Sequence, residues 1–119
     1  MTRDIDSLLE EARRGIARLA PEGAYAAQQA GAVLVDTRSA DERHEQGILI
    51  PGAVHYPLSV VLWRLDELPR ETRVILACRH GFSSSFAAAH LRGLGFETAG
   101  DVVGGVEAWQ AAGLPVEAL

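Results

Sequence analysis

Cysteine is nearly missing from this 119-residue chain: Cys78 stands alone. One cysteine makes no internal disulfide, no C-x-x-C redox pair and no cysteine-rich zinc site. Basic clusters are missing too. Eleven Lys+Arg stand against 16 Asp+Glu, a formal charge of −5, which argues against a nucleic-acid or anionic-membrane binder. No apolar run reaches the ~18 residues that a membrane span needs. The first eleven residues carry Asp4, Asp6, Glu10 and Glu11. A secretory signal would begin basic and continue apolar, so none is expected and a reduced, cytoplasmic setting is. His44, His55 and His90 show no paired ligand spacing, and no metal is expected. Repeats, low-complexity tracts and linkers are also lacking. What is present is 48% hydrophobic and 23% charged residues, a composition that can fill a core, over a length that suits one domain.

Apolar periodicity sets out alternating elements. Ile5, Leu8, Leu9, Ala12, Ile16 and Leu19 predict an amphipathic helix over 4–19, capped by Asp4. It is expected to pack on the domain, with a dimer contact as the competing use. Pro21 opens a second short helix over 21–30. Ala32 to Val35 reads as a buried parallel strand. Ser39 and Glu42 form a capping box for a helix over 40–46. A short strand is expected over 53–56 and a helix over 58–66. Val74 to Ala77 is a second apolar strand, followed by a helix over 84–94, a strand within 96–103 and a helix over 106–112. Trp63 and Trp109 fall on apolar helix faces and are expected in the core. Strands alternating with helices predict an α/β fold with a mostly parallel sheet of about five strands and helices on both faces.

The junction after Val74–Ala77 carries the chemistry. Ligands in such sheets sit at the carboxyl ends of strands, and Cys78 is the first residue beyond one. The chain then leads into a helix N-terminus, whose unpaired N–H groups favour an anion and lower a thiol pKa. Gly81 lets the loop curl with its amides inward. Arg79 puts a planar cation beside the thiol. Ser83 and Ser84 can donate to the sulfur. An isolated cysteine is more often inert core filling; here the strand end, Arg79, Gly81 and the two serines favour a nucleophile.

The run from Val74 to Ser84 (VILACRHGFSS), with Ala87, Ala88 and Leu91, resembles the active-site loop and following helix of the rhodanese-like sulfurtransferases. Three further segments agree in order and spacing. Val35-Asp36-Thr37-Arg38 with Glu42 is similar to the family's D-x-R-x-x-x-E segment. Ile50-Pro51-Gly52-Ala53 is similar to its I-P-G-A turn. Gly104-Gly105-Val106-Glu107-Ala108-Trp109, with Gly113-Leu114-Pro115-Val116, is similar to its C-terminal signature. The resemblance spans about 19–117, which implies a helical extension at 1–18 and a rhodanese-like domain over 19–119. The chain departs from the pattern at Arg43, where the family carries an aromatic residue, and over Gly47–Ala53, which has an extra residue.

The resemblance implies the three-layer rhodanese-like fold and a sulfurtransferase. Cys78 is the implied nucleophile, with Arg79, His80, Gly81, Phe82, Ser83 and Ser84 around the substrate and Asp36 and Arg38 as structural support behind. His80 could equally be a solvated rim residue, and Phe82 could grip a partner or fold inward. The six-residue loop Cys78–Ser83 matches sulfurtransferases. The phosphatase and arsenate-reductase branch has C-x5-R, and Ser84 stands where that Arg would be. The Arg79-His80 pair points to thiosulfate as donor. The implied mechanism is double displacement through a Cys78 persulfide, with cyanide in vitro or a thiol in the cell as acceptor, and no metal or organic cofactor. The expected partners are thus a small-molecule sulfur donor and a thiol or protein acceptor, for a monomer or homodimer. A non-catalytic binding module that presents the same loop to a protein is the alternative.

Overall fold

The structure is a computed structural model that describes residues 4–119. Five strands form one sheet in the order β1-β6-β5-β2-β4: β1 Ala17–Leu19, β2 Val33–Asp36, β4 Val54–His55, β5 Val74–Ala77 and β6 Gly100–Val102. Every pairing in it is parallel. A second, two-stranded sheet pairs β3 (Ile48–Leu49) antiparallel with β7 (Glu117–Ala118). The expected α/β architecture is therefore present.

The strands are apolar on both faces because both are covered. Along β5, Val74 and Leu76 face one core and Ile75 and Ala77 the other, the period-2 alternation of a pleated strand. The first core is closed by Val61 and Leu65 of α4 (Val61–Asp66) and by Ala87, Ala88 and Leu91 of α5 (Ser83–Gly93), with Phe96. The second is closed by Ala24 and Ala27 of α2 (Pro21–Gln29) and by Val106 and Trp109 of α6 (Gly105–Ala111). Trp109 is fully buried; its indole N–H donates to Pro115 O at 2.9 Å and its ring meets Tyr25 edge to face at 5.7 Å. α3 (Ala40–Gln46) starts on the capping box read from sequence, with Ser39 Oγ accepting from Glu42 N at 3.1 Å and Glu42 Oε1 accepting from Ser39 N at 3.0 Å.

Two expectations are corrected. The helix predicted over 4–19 stops early: α1 is Ile5–Arg14, and Ala17–Leu19 is the edge strand β1, in register with Gly100–Val102. Gly15 interrupts the helix, and pairing with β6 overrides the local periodicity that Ile16 and Leu19 continue. Trp63, expected in the core, is 76% exposed. In the six-residue α4, Val61 and Leu65 are one turn apart and take the buried face, which turns Trp63 outward. The atypical Gly47–Ala53 segment also has an explanation: Ile48 and Leu49 form β3, held by β7.

Gly100 is what lets β1 close on the sheet. A Cβ there would lie 2.1 Å from Ala17 O, a backbone atom that cannot rotate away. Gly100→Ala is therefore expected to destabilise the fold by about 1–3 kcal/mol, the range for overpacking. Urea unfolding of the variant checks this; a wild-type midpoint would contradict the strand assignment.

Candidate active site

The centre of the site is the turn from β5 into α5. Cys78, buried at 5% exposure, follows Ala77 directly at the carboxyl end of the central strand. Gly81, at φ +85°, turns the chain so that its N–H donates to Cys78 Sγ at 3.0 Å. Carbonyls of the same turn face the other way. Cys78 O accepts from Val106 N at 2.8 Å and Arg79 O from Glu107 N at 3.1 Å, both in the first turn of α6. This docking demands glycine on the α6 side: a Cβ on Gly105 would lie 2.2 Å from Cys78 O. The Gly104-Gly105 pair thus holds the loop carbonyls outward, which leaves the amides to the sulfur.

The chemistry around Sγ favours the anion. Burial pushes the Cys78 thiol up, but the Ser84 and Ser83 hydroxyls and the Ser84 and Gly81 amides outweigh it, so the net shift is downward from the ordinary thiol value. Ser84 Oγ lies 3.3 Å from Sγ and donates to Asp101 Oδ2 at 2.8 Å. Ser85 Oγ donates to the same oxygen at 2.7 Å. Asp101, fully buried on β6, also accepts from Arg18 Nε at 2.9 Å and Nη2 at 3.3 Å. If Ser84 turns its hydroxyl to a charged sulfur, Asp101 keeps Ser85 and Arg18 as donors.

The remaining residues read from sequence lie at different distances from the chemistry. Arg79 and His80 are on the loop rim, and each meets a carboxylate: Arg79 Nη1 pairs with Glu45 of α3, and His80 Nδ1 lies 2.7 Å from Glu107 Oε2. Phe82 is 58% exposed, its ring 5.9 Å from the Arg13 guanidinium. Ser83 borders a cleft of about 300 Å³ with Leu58, Leu62, Phe86 and His90. Asp36 and Arg38 are buried together beside the end of β5, whose Ala77 pairs with Asp36. Asp36 Oδ2 accepts from Arg38 Nη2 at 2.7 Å and Oδ1 from Arg38 Nε at 3.0 Å. The same guanidinium donates to Ile48 O and Gln46 Oε1, both at 3.0 Å, so it ties β2 to α3 and β3. Arg43, at the departure noted in the sequence, donates toward His55 Nδ1 at 2.9 Å and stands 3.7 Å from Asp36.

Sequence reasoning missed Asp101, Ser85, Arg13, Arg18, Glu45 and Glu107. One signal was available for Asp101: it lies near the carboxyl end of the strand next to β5, where such folds place polar site residues. Arg13 and Arg18 carried no such signal, because cations toward the end of a predicted helix are commonplace.

Known proteins match this arrangement. A family model for the Rhodanese-like domain matches residues 20–112. Thiosulfate sulfurtransferase GlpE of Pseudomonas savastanoi pv. phaseolicola is 38% identical over 94 residues, 79% of this chain and 87% of the relative. A sulfurtransferase of Allochromatium vinosum is 36% identical over 86 residues, 72% of this chain and 78% of the relative. Among solved structures, a Rhodopseudomonas palustris protein of unknown function, described as a possible tyrosine phosphatase, superposes with a TM-score of 0.83 at 27% identity, covering 98% of this chain and 96% of the other. Thiosulfate sulfurtransferase from Pseudomonas aeruginosa superposes with a TM-score of 0.75 at 31% identity, covering 93% of this chain and 22% of the other. With a five-stranded parallel sheet, a sulfur-cradling loop at the end of its central strand and these relatives, the chain belongs to the rhodanese-like domain family.

Proposed function

We propose that this rhodanese-type sulfurtransferase moves a sulfane sulfur from thiosulfate, or a similar donor, to a thiol acceptor through a persulfide on Cys78. The observation that supports this best is the cradle around the buried Sγ, in which the Gly81 N–H at 3.0 Å and the serine hydroxyls favour a sulfur anion. The Cys78 thiolate attacks the outer sulfur of thiosulfate. A bond forms between the two sulfurs, the bond to the sulfonate breaks, and sulfite leaves with the electron pair. The acceptor then attacks the outer persulfide sulfur, and the electron pair returns to Cys78 as thiolate. Splitting one transfer into two displacements is the usual benefit of a covalent intermediate. In the persulfide the charge moves to the outer sulfur, one S–S bond beyond Sγ, and the donors of the same loop are the groups that would stabilise it there.

Arg79 supplies the fixed charge that a dianionic donor needs, with His80 beside it on the rim as a further hydrogen-bonding group. Arg79 meets a carboxylate, so thiosulfate competes with Glu45 for its guanidinium. A phosphatase reading has less support. Ser84 occupies the position where a C-x5-R loop carries its phosphate clamp, so that loop's bidentate cation is replaced here by a hydroxyl.

Intact-protein mass spectrometry after thiosulfate treatment tests the reading. Wild type is expected to gain one sulfur atom and to form thiocyanate from cyanide, and Cys78→Ser to do neither. Wild type that takes no sulfur from thiosulfate, mercaptopyruvate or a low-molecular-weight persulfide would overturn it. Arg79→Gln is expected to raise KM for thiosulfate about tenfold with a smaller change in kcat, the size of a partly exposed charge-assisted hydrogen bond. Steady-state kinetics decides, and an unchanged KM would remove Arg79 from donor binding.

A further inference from the structure

α1 precedes the segment matched by the family model, which begins at residue 20, yet its side chains reach the back of the active-site loop. Arg13 Nη2 donates to Gly81 O at 2.9 Å, and Arg13 Nε donates to Ser85 Oγ at 3.1 Å. Arg18, on β1, donates to the same Gly81 O at 3.2 Å while it forks onto Asp101. Gly81 is the residue whose N–H meets Sγ. Its donor faces the sulfur and its acceptor faces two guanidinium groups, across one Cα.

We propose that Arg13 and Arg18 are positioning residues of this site: they anchor the Gly81 carbonyl and the Asp101–Ser85 pair from behind, and so fix the Gly81 N–H on the sulfur. A glycine at positive φ has little intrinsic preference to hold that orientation. Something outside the loop must hold it, and a charge-assisted hydrogen bond to the carbonyl is the strongest contact available. The two arginines differ in their second partner. Arg18 is matched by the buried carboxylate of Asp101, whereas Arg13 uses its donors on a carbonyl and a hydroxyl. Arg13 therefore also contributes positive potential toward the sulfur.

Among the described residues, the charged groups on the elements around the loop are paired as follows, with Arg43 of α3 standing 3.7 Å from Asp36. From the loop come Arg79 and His80, paired with Glu45 of α3 and Glu107 of α6. From β6 comes Asp101, matched by Arg18 of β1. From β2 come Asp36 and Arg38, paired with each other. α5 presents the uncharged Ser83, Ser84 and Ser85 in its first turn. Arg13 hydrogen-bonds to Gly81 O and reaches Asp101 only through Ser85, whereas Arg18 bonds Asp101 itself, so Arg13 is the position that disturbs these pairs least.

The inference rests on Cys78 being the reactive sulfur, and the test reads that thiol without sulfur transfer. Iodoacetamide alkylation of Cys78 is followed against pH in wild type, Arg13→Gln, Arg13→Lys and Arg14→Gln. Arg14 is a control: its side chain is 70% exposed, and it pairs with Glu10 on the same helix. Arg13→Gln is expected to move the alkylation midpoint upward and to slow the reaction at neutral pH about five- to tenfold, the effect of losing one charge-assisted hydrogen bond. Arg13→Lys, which keeps the charge but loses the planar fork, is expected to lie between the two. Arg14→Gln is expected to follow wild type. An Arg13→Gln profile that overlays wild type would overturn the proposal, as would an equal shift in Arg14→Gln. If Arg13→Gln does not fold, Arg13→Lys decides alone: an upward midpoint supports the inference, and a wild-type midpoint overturns it. A chain that alkylates as expected but takes no sulfur would fail the functional reading and leave this inference standing.

Discussion

The backbone conformation of Gly81 is the constraint on which the site depends. Its N–H must face a buried sulfur while its carbonyl faces the other way. Buried polar groups left unpaired cost on the order of 1–3 kcal/mol each, so this orientation persists only if both ends are satisfied. The fold satisfies them. Sulfur takes the donor, guanidinium groups take the acceptor, and the neighbouring loop carbonyls of Cys78 and Arg79 go to the first turn of α6. The result is a backbone donor fixed on Cys78 Sγ, with the Ser84 hydroxyl 3.3 Å away on its other side.

Topology explains why these donors converge. β5 is the middle strand, and its neighbours β6 and β2 run parallel to it. All three therefore deliver their carboxyl ends to the same edge. β6 brings Asp101, and the Gly104-Gly105 turn follows it; β2 brings Asp36 and Arg38; β5 brings Cys78. The roles then separate by distance. Ser84 and Gly81 touch the sulfur, Asp101 and the two arginines hold what touches it, and the Asp36–Arg38 pair fastens β2 to α3 and β3. α1 and β1 complete the sheet edge and the rear of the loop together.

Much of this was legible in the sequence because it is local. The apolar runs at Val33–Val35 and Val74–Ala77, the Ser39/Glu42 capping box and the strand–Cys–Gly–Ser–Ser–helix junction each depend on residues a few positions apart, and the structure contains each as an element. Most of what was missed involves partners remote in sequence. Ala17–Leu19 fits a helical period but pairs with Gly100–Val102, more than eighty residues away. Trp63 fits an apolar face, yet the short α4 buries only Val61 and Leu65. Arg13, Arg18 and Asp101 share one network across the fold, and no spacing rule joins positions so far apart. The rim pairs Arg79–Glu45 and His80–Glu107 were hidden for the same reason: only the fold brings Glu45 of α3 and Glu107 of α6 to the loop.

The central claim is that the loop holds the Cys78 sulfur as an anion. Ultraviolet titration of the thiolate in the resting protein, with Cys78→Ser as the blank, tests it without substrate. The sign follows from the geometry: the hydroxyls and amides favour the charged form, so the thiol must lose its proton at a lower pH than a free cysteine, and reactivity must persist into more acidic solution before it falls. The account predicts a midpoint below the ordinary ~8.5. A midpoint at or above that value would mean that burial dominates the hydrogen bonds, and it would contradict the claim.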